Sequence, residues 1–420
     1  MAVESGEPNR GGHRAPGHQD EIGDRDIDLE PTDDTFEIGF EGDDDPFSPR
    51  HMPLLHKWLI VFVVCTATIC VTCTSSIYTT TYAQLNRDFA GTRLSSALGL
   101  STFVLGIAFG PLLTGPLSEH YGRRPIYLVS WSMFVLWTIP SALARNMITL
   151  IITRFFAGFS GSTFLSVAGG TVGDIFSRDQ LQRPMVFVSL APFIGPSIGP
   201  LLGGIINSYL DWRWTYYIIL IWSVTILLTV AFVPETFRPV ILKAKARKLR
   251  CETGDNRYWA PVEKMNRSHR KTVALALMRP FQLMFLEPMC LCLNLYSAIL
   301  LGILYLFFGT LPQIFRINHG MNLWQSGLAF LGIIIGMIVA VTTNPIWVCI
   351  RSWLLRKHDE GARKSGNSEP EFQLPPAIAG GVLIPIGLFW FAWTTQVTVH
   401  WIVPIAGSLL FGCGGRADFI

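Results

Sequence analysis

The sequence predicts an all-α polytopic membrane protein made of two pseudo-symmetric helical bundles, with about ten spans in all. Three observations carry this. Half of the 420 residues are hydrophobic and only 15% are charged, against about 25% charged in soluble domains. The apolar residues gather in ten runs near the ~20-residue length that crosses a bilayer. The loops between those runs divide sharply in basic content, which sets the orientation of helical membrane proteins.

The chain opens with an acidic segment. Residues 1–50 hold 15 of the 30 Asp and Glu, including Asp43, Asp44 and Asp45. So polar a stretch cannot bury enough apolar surface to offset its ordering entropy, and residues 1–56 are expected to be a disordered cytoplasmic tail. No apolar core follows a basic start, so it does not read as a signal peptide.

Six apolar runs follow, at 58–81, 95–117, 126–144, 149–172, 184–207 and 213–233, and define a first bundle over 57–236. A basic loop, 237–287, separates them from the runs 288–310, 324–348, 376–395 and 400–415 of a second bundle, 288–420. Trp58, Trp212, Trp214, Trp324 and Trp401 fall at run edges, where an indole keeps its N–H wet. The loops 118–125, 173–183, 237–287 and 349–375 carry 2, 2, 12 and 5 Lys plus Arg, and the opposite side only Arg87, Arg93, Arg145, Arg213 and Arg316. This bias puts the N-terminus in the cytoplasm. The sequon at Asn266 then lies inside, and a glycan there would overturn the topology. The cysteines show no metal spacing or disulfide framework.

An internal repeat supports the two bundles. Leu105-Gly106-Ile107-Ala108-Phe109-Gly110 in the second run reappears as Leu331-Gly332-Ile333-Ile334-Ile335-Gly336 in the eighth. Ala83 to Arg87, closing the first run, echoes Pro312 to Arg316, closing the seventh. The near-equal offsets suggest parallel halves with a substrate cavity between them.

Three motifs carry chemistry. In the loop from Gly115 through Glu119 and Gly122 to Arg123 and Arg124, the glycine at 122 permits a tight reversal, and Glu119 can pair with either arginine. Such a bridge, made in one state only, would be a bistable gate. Arg154 is the basic residue clearly inside a run; a lone charge at mid-bilayer costs about 2.5–3.5 kcal/mol. It is expected to face a polar cavity, with snorkelling as the competing account. In the fifth run Gly195, Gly199 and Gly203 are four apart, as are Pro196 and Pro200, with Gly204 adjoining. One helix face is thus bare, suited to close backbone packing.

These motifs resemble the major facilitator superfamily. The first is similar to its Gly-x-Leu-Ser-Asp-x-x-Gly-Arg-Arg signature, with Glu119 for the usual Asp. Arg154 to Gly161 resembles a fourth-helix motif whose arginine is associated with proton coupling, with Ala157 where Gln is frequent. Gly195 to Gly204 resembles the antiporter motif that marks exporters. Phe164 to Phe176, Asp211-Trp212-Arg213-Trp214, Pro234-Glu235-Thr236, Arg279-Pro280-Phe281 and Glu287-Pro288 look like the twelve-span fungal drug:proton antiporters, including multidrug and polyamine exporters.

The resemblance implies a proton-coupled exporter of drugs, polyamines or other small amphipathic molecules, working by alternating access. Its partners would be the substrate, protons and membrane lipid, with no nucleic acid and no cofactor or metal, and the protein a monomer in the plasma membrane or, alternatively, the vacuolar membrane. Asp174 could pair with the gate loop or be a solvated helix-end acid. Tyr78, Tyr82, Asn294, Tyr296 and Tyr305 could line the cavity or merely pack between helices. No acid lies deep in any run, so coupling is expected through Glu119, Asp174 and Arg154. Ten runs where the family has twelve read as a C-terminal truncation, with instability or inactivity as the expectation. A nutrient importer and a non-transporting sensor are the alternatives, and no Ser/His/Asp elbow, metal-binding His pair or phosphate loop points to an enzyme.

Overall fold

A computed structural model describes residues 37–40, 45, 47–177, 180–264, 269–343, 345–350, 352–354 and 375–417. The glycosylation test at Asn266 and the first 36 residues of the tail lie outside the described residues. Over the described residues each of the ten apolar runs falls largely on helix. Among the described residues nine helical stretches are long and apolar enough to cross a membrane, and the tenth, Ile402–Gly415, is apolar but shorter.

The first half comprises α1 (Leu54–Ile77), continued through a 3-10 turn (Tyr78–Thr81) into α2 (Tyr82–Asp88), then α3 (Arg93–Tyr121), α4 (Arg123–Ala142), α5 (Met147–Gly161), α6 (Thr163–Ile175), α7 (Gln182–Tyr209) and α8 (Trp212–Ala231). Local chemistry sets the ends. The Thr92 and Asn146 side chains accept from the Ser95 and Thr149 N–H groups and cap α3 and α5. Gly122, at φ +98°, reverses the chain between α3 and α4.

The basic segment after the first half is largely helical, with α9 (Arg238–Thr253), α10 (Pro261–Lys264) and α11 (His269–Leu286). The second half holds α12 (Pro288–His319), α13 (Leu323–Leu328), α14 (Leu331–Thr342), α15 (Pro375–Thr394) and α16 (Ile402–Ala417). Gly320 at φ +61° ends α12, and Asn322 and Gln325 form a reciprocal capping box on α13.

The repeated sextets occupy matching places. A Cβ on Gly106 or Gly110 would strike the α5 backbone at Phe155 and Phe159, and one on Gly332 or Gly336 would strike α16 at Ile405 and Leu409. Second span on fourth and eighth on tenth is the same contact made twice. In lipid, close approach at small residues does what water exclusion does elsewhere, since lipid tails are as apolar as leucine.

The tail departs from the disordered reading over its last part. Ile38 packs with Ala246 and Ala260, its N–H donates to the Trp259 carbonyl at 3.0 Å, and Lys245 Nζ meets Asp45 Oδ2 at 2.6 Å. The Phe47 ring lies 5.6 Å and 5.4 Å from the Lys245 and Lys248 ammonium groups. The described residues 37–40, 45 and 47–53 thus strap α9 to the start of α1, because a few apolar and aromatic groups inside an acidic stretch find a basic helix.

Candidate functional site

At the end of the molecule that holds the α3–α4 turn, a network of charges ties four elements together. Arg123 is buried; its Nε donates to Asp174 Oδ2 of α6 at 3.2 Å and its Nη1 to Ser118 Oγ of α3 at 2.7 Å. The backbone N–H groups of Arg123 and Arg124, at the open N-terminus of α4, donate to the two Glu235 carboxylate oxygens at 2.9 Å and 3.1 Å. Glu235 Oε1 also accepts from Thr236 N and Phe237 N. A carboxylate at a helix start satisfies orphan donors and suits the positive end of the helix dipole. The turn must be glycine, since a Cβ at Gly122 would lie 2.5 Å from Glu235 Oε2. Arg123 also covers the Phe237 ring at 4.8 Å, and the Arg124 guanidinium donates to the Ala231 carbonyl.

The gate differs from the sequence expectation at Glu119, which is exposed and makes no ion pair among the described residues. The Arg123 guanidinium pairs with Asp174, the gate-loop pairing that the sequence had left open, and Glu235 takes the backbone N–H groups of both arginines. Helix α3 turns Glu119 outward, and the reversal at Gly122 carries Arg123 to the opposite side. Gly115 lies within α3 with open space around it.

Arg154 of α5 is 1% exposed. Its Nε donates to the Gly99 carbonyl at 2.8 Å, Nη1 to the Tyr216 hydroxyl at 3.3 Å, and Nη2 to the Thr74 and Ser75 carbonyls at 3.2 Å and 3.4 Å. The guanidinium sits 3.9 Å from the Tyr78 ring centre and 4.8 Å from that of Phe103. Neither an open cavity nor snorkelling describes it: carbonyls and two ring faces enclose the charge. The Tyr78 hydroxyl is buried without a hydrogen-bond partner, and Tyr82 meets the Tyr78 ring edge-on at 5.3 Å.

The bare face of α7 is used twice. Gly195 and Gly199 press on Thr72 and Ser76 of α1 and Gly203 on Thr80 of the 3-10 turn that continues it, while Gly204 meets the Leu323 carbonyl of α13 and Gly327 of α13 meets the Pro200 carbonyl. Pro196 and Pro200 are buried within α7, where each removes a backbone donor. The same helix sends Leu190, Phe193 and Ile194 into the second-half core beside Phe308 and Phe330. A second contact between halves is the Ser75 to Tyr305 hydroxyl pair at 2.9 Å.

Two cavity candidates sit elsewhere. Asn294 and Tyr296 are exposed, and Tyr296 lines an apolar groove of about 410 Å3 between α12 and α15, away from the contact between halves. Their positions near the start of α12 place them beyond the packed segment that begins at Leu300. Ser75 was not singled out from sequence, and Glu235 only as part of Pro234-Glu235-Thr236, with no role given to it. The Thr72, Ser76, Thr80 spacing, matching the glycines of α7, was the available signal for the α1 face; nothing local marked Glu235 as the cap of a helix 112 residues away.

Two helical halves packed on one another through α7 and the Ser75–Tyr305 pair, the first tied at one end by the Arg123 network, are the architecture of an integral multi-pass transmembrane transporter. Residues 64–417 match the Major Facilitator Superfamily, and the chain belongs to that family. It is 50% identical over 384 residues to the efflux pump atB of Aspergillus terreus, covering 91% of this chain and 73% of that protein. It is 39% identical over 379 residues to the multidrug transporter mdrA of Aspergillus fumigatus, covering 89% and 61%. The fold is similar to that of the xylose transporter XylE from E. coli in a partially occluded inward-open conformation, with a TM-score of 0.59 at 15% identity over 86% of this chain and 85% of that one.

Proposed function

We propose that this transporter exports small amphipathic molecules in exchange for protons, by rocking its two halves about a site between them. The observation that carries the reading is the glycine–proline face of α7, which packs on α1 within the first half and on α13 of the second. The efflux pump and multidrug transporter names of its relatives point the same way. Rocking has to open the α7–α13 contact together with the Ser75–Tyr305 pair, because Ser75 stands beside Ser76 opposite Gly199 and the α13 contact begins at the adjoining Pro200. Asp174 is the proton-responsive member of the gate: protonation removes the charge that holds Arg123, loosening α4 from α6. Arg154 positions α1 against α3 and α8 through Thr74, Ser75, Gly99 and Tyr216, so that movement near Ser75 is felt across the first half.

In this reading the protein acts as a monomer in a plasma or vacuolar membrane, with its N-terminus and gate network cytoplasmic. Proteoliposomes holding the purified chain should move a fluorescent amphipathic dye against its gradient when a proton gradient is imposed. Collapsing the gradient should stop the flux, and Arg154→Ala should abolish it while leaving downhill binding. Dye flux indifferent to the proton gradient would sink the exchange reading.

A further inference from the structure

The strap on α9 is drawn into a compact turn around Ser48. Asp45 Oδ1 accepts from the Phe47 N–H at 2.9 Å and the Asp45 carbonyl from the Ser48 N–H at 2.8 Å, while Ser48 Oγ caps the 3-10 turn Pro49–His51 by accepting from Arg50 N at 3.3 Å. Ser48 is 2% exposed and Asp45 5%. This short stretch joins two surfaces. Asp45 and Phe47 hold Lys245 and Lys248 of α9, whereas the turn packs on α6 and the Arg50 carbonyl accepts from Lys57 Nζ at 2.7 Å. The Lys57 ammonium lies 5.8 Å from the ring of Phe176, two residues beyond Asp174. Earlier in the strap the Phe40 ring lies 5.1 Å from the Arg238 guanidinium, whose charge acts on the Asp174 carboxylate. The strap therefore grips both flanks of the gate network.

The sequence singles out the same residue. Of the 26 prolines Pro49 alone follows a serine or threonine, so Ser48-Pro49 is the one Ser/Thr-Pro dipeptide in the chain. Docked, its hydroxyl is out of reach of an enzyme. The strap is held by one ion pair, a few ring contacts and the small cluster of Ile38, Ala246 and Ala260, so it can open locally while the bundles stay folded. A phosphate on Ser48 would bring about −1.5 to −2 charges and three acceptor oxygens to a buried position three residues from the buried Asp45 carboxylate. Like-charge repulsion and the desolvation of a dianion both oppose redocking.

We propose that Ser48 is the acceptor for a proline-directed protein kinase, and that its phosphorylation holds the strap off α9 and the end of α6. In the open strap, Ser48 Oγ attacks the terminal phosphorus of ATP; the new O–P bond forms as the bond to ADP breaks, and the hydroxyl proton passes to the kinase's base. Docking and modification exclude one another. The strap must open to be phosphorylated, and once phosphorylated it no longer closes over Lys245 and Lys57. The inference rests on the reading above only for the cytoplasmic placement of this face, where ATP is at hand.

The full chain in nanodiscs, given a purified proline-directed kinase and Mg-ATP, provides the test. Asp45→Ala, which removes the ion pair to Lys245, should take phosphate at Ser48 about fivefold faster than the wild type. Ser48→Asn keeps a capping oxygen and should take none while its strap stays docked. After phosphorylation the Ile38 amide should exchange, and trypsin should cleave after Lys245 and Lys248, about tenfold faster than in the unmodified chain, and a phosphatase should restore the protection. Three results overturn the proposal: no phosphate at Ser48 in either the wild type or Asp45→Ala, equal rates in the two, or a phosphorylated chain whose protection is unchanged or increased. None of these readouts involves transport. Failure here leaves the exchange reading standing, and dye flux indifferent to the proton gradient leaves this one standing.

Discussion

The leading spans of the two halves, Leu54–Asp88 and Pro288–His319, are equally apolar, yet 78% of the most apolar window of the first is enclosed by protein and only 22% of the second. The difference lies in what covers them. Helix α1 is flanked by α7 along its glycine face and by α8, whereas between α12 and α15 an open groove of about 410 Å3 stands where α8 fills the corresponding place between α1 and α4. Polarity follows enclosure. The stretch from Thr66 to Thr81 of the first span is dense in Thr and Ser, while α12 shows Leu and Ile to its surroundings. Hydropathy therefore reports that a helix belongs in a membrane; hydroxyl density reports whether its neighbours are protein or lipid.

The sharpest way to break this comparison is a matched pair of glycine substitutions. Gly199→Leu drives a side chain into Ser76 and the Cys73 and Ile77 backbone and should cost about 3 kcal/mol or more, whereas Gly302→Leu on α12 meets open space and should stay within about 0.5 kcal/mol. Unfolding in detergent followed by tryptophan fluorescence reads both, and equal losses would erase the distinction. Next in size is the gate. Arg123→Ala leaves the Asp174 carboxylate partly buried without its partner and should cost about 2 kcal/mol, and a cycle with Asp174→Asn should show coupling between the two.

The strap is weaker. Asp45→Ala should cost about 1 kcal/mol and expose Lys245 and Lys248 to trypsin, with faster amide exchange at Ile38. Unchanged cleavage would mean that the apolar contacts of Ile38 hold the segment by themselves. Ser75→Ala removes a hydroxyl that donates to the Thr72 carbonyl and accepts from Tyr305, and should shift the melting temperature least, while altering transport if the Tyr305 pair must break and reform during turnover.

Much of this architecture was legible in the residues. Span positions follow from the length a bilayer demands, and the reversal at Gly122 from a glycine between an acid and two arginines. The matching contacts of Gly106 and Gly332 follow from the repeat. The partners were harder to read. Arg123 could be seen to need an anion, but choosing Asp174 and the Glu235 cap over the neighbouring Glu119 depends on how α3 and α4 turn about Gly122, which no local spacing encodes. The tail was misjudged at 37–40, 45 and 47–53 because composition averaged across fifty residues hides the few side chains, such as Ile38 and Phe47, that find a surface. Arg154 was placed inside a span but expected to face a polar cavity; its enclosure by carbonyls and ring faces requires α1, α3 and α8 to be in place.

The pairing of α1 with α7 has a mechanical side. Thr72, Ser76 and Thr80 donate their hydroxyls back to carbonyls of their own helix, at Thr68, Cys73 and Ile77, while standing opposite glycines with the same four-residue pitch. The teeth of one helix fill the gaps of the other, so a slip shorter than a full turn would drive a side chain into backbone. Two helices meshed in this way resist shear and act as one stiff lever. Whatever displacement turnover requires is then concentrated at the thinner contacts with α13 and Tyr305, which makes those the hinge line along which the machine gives.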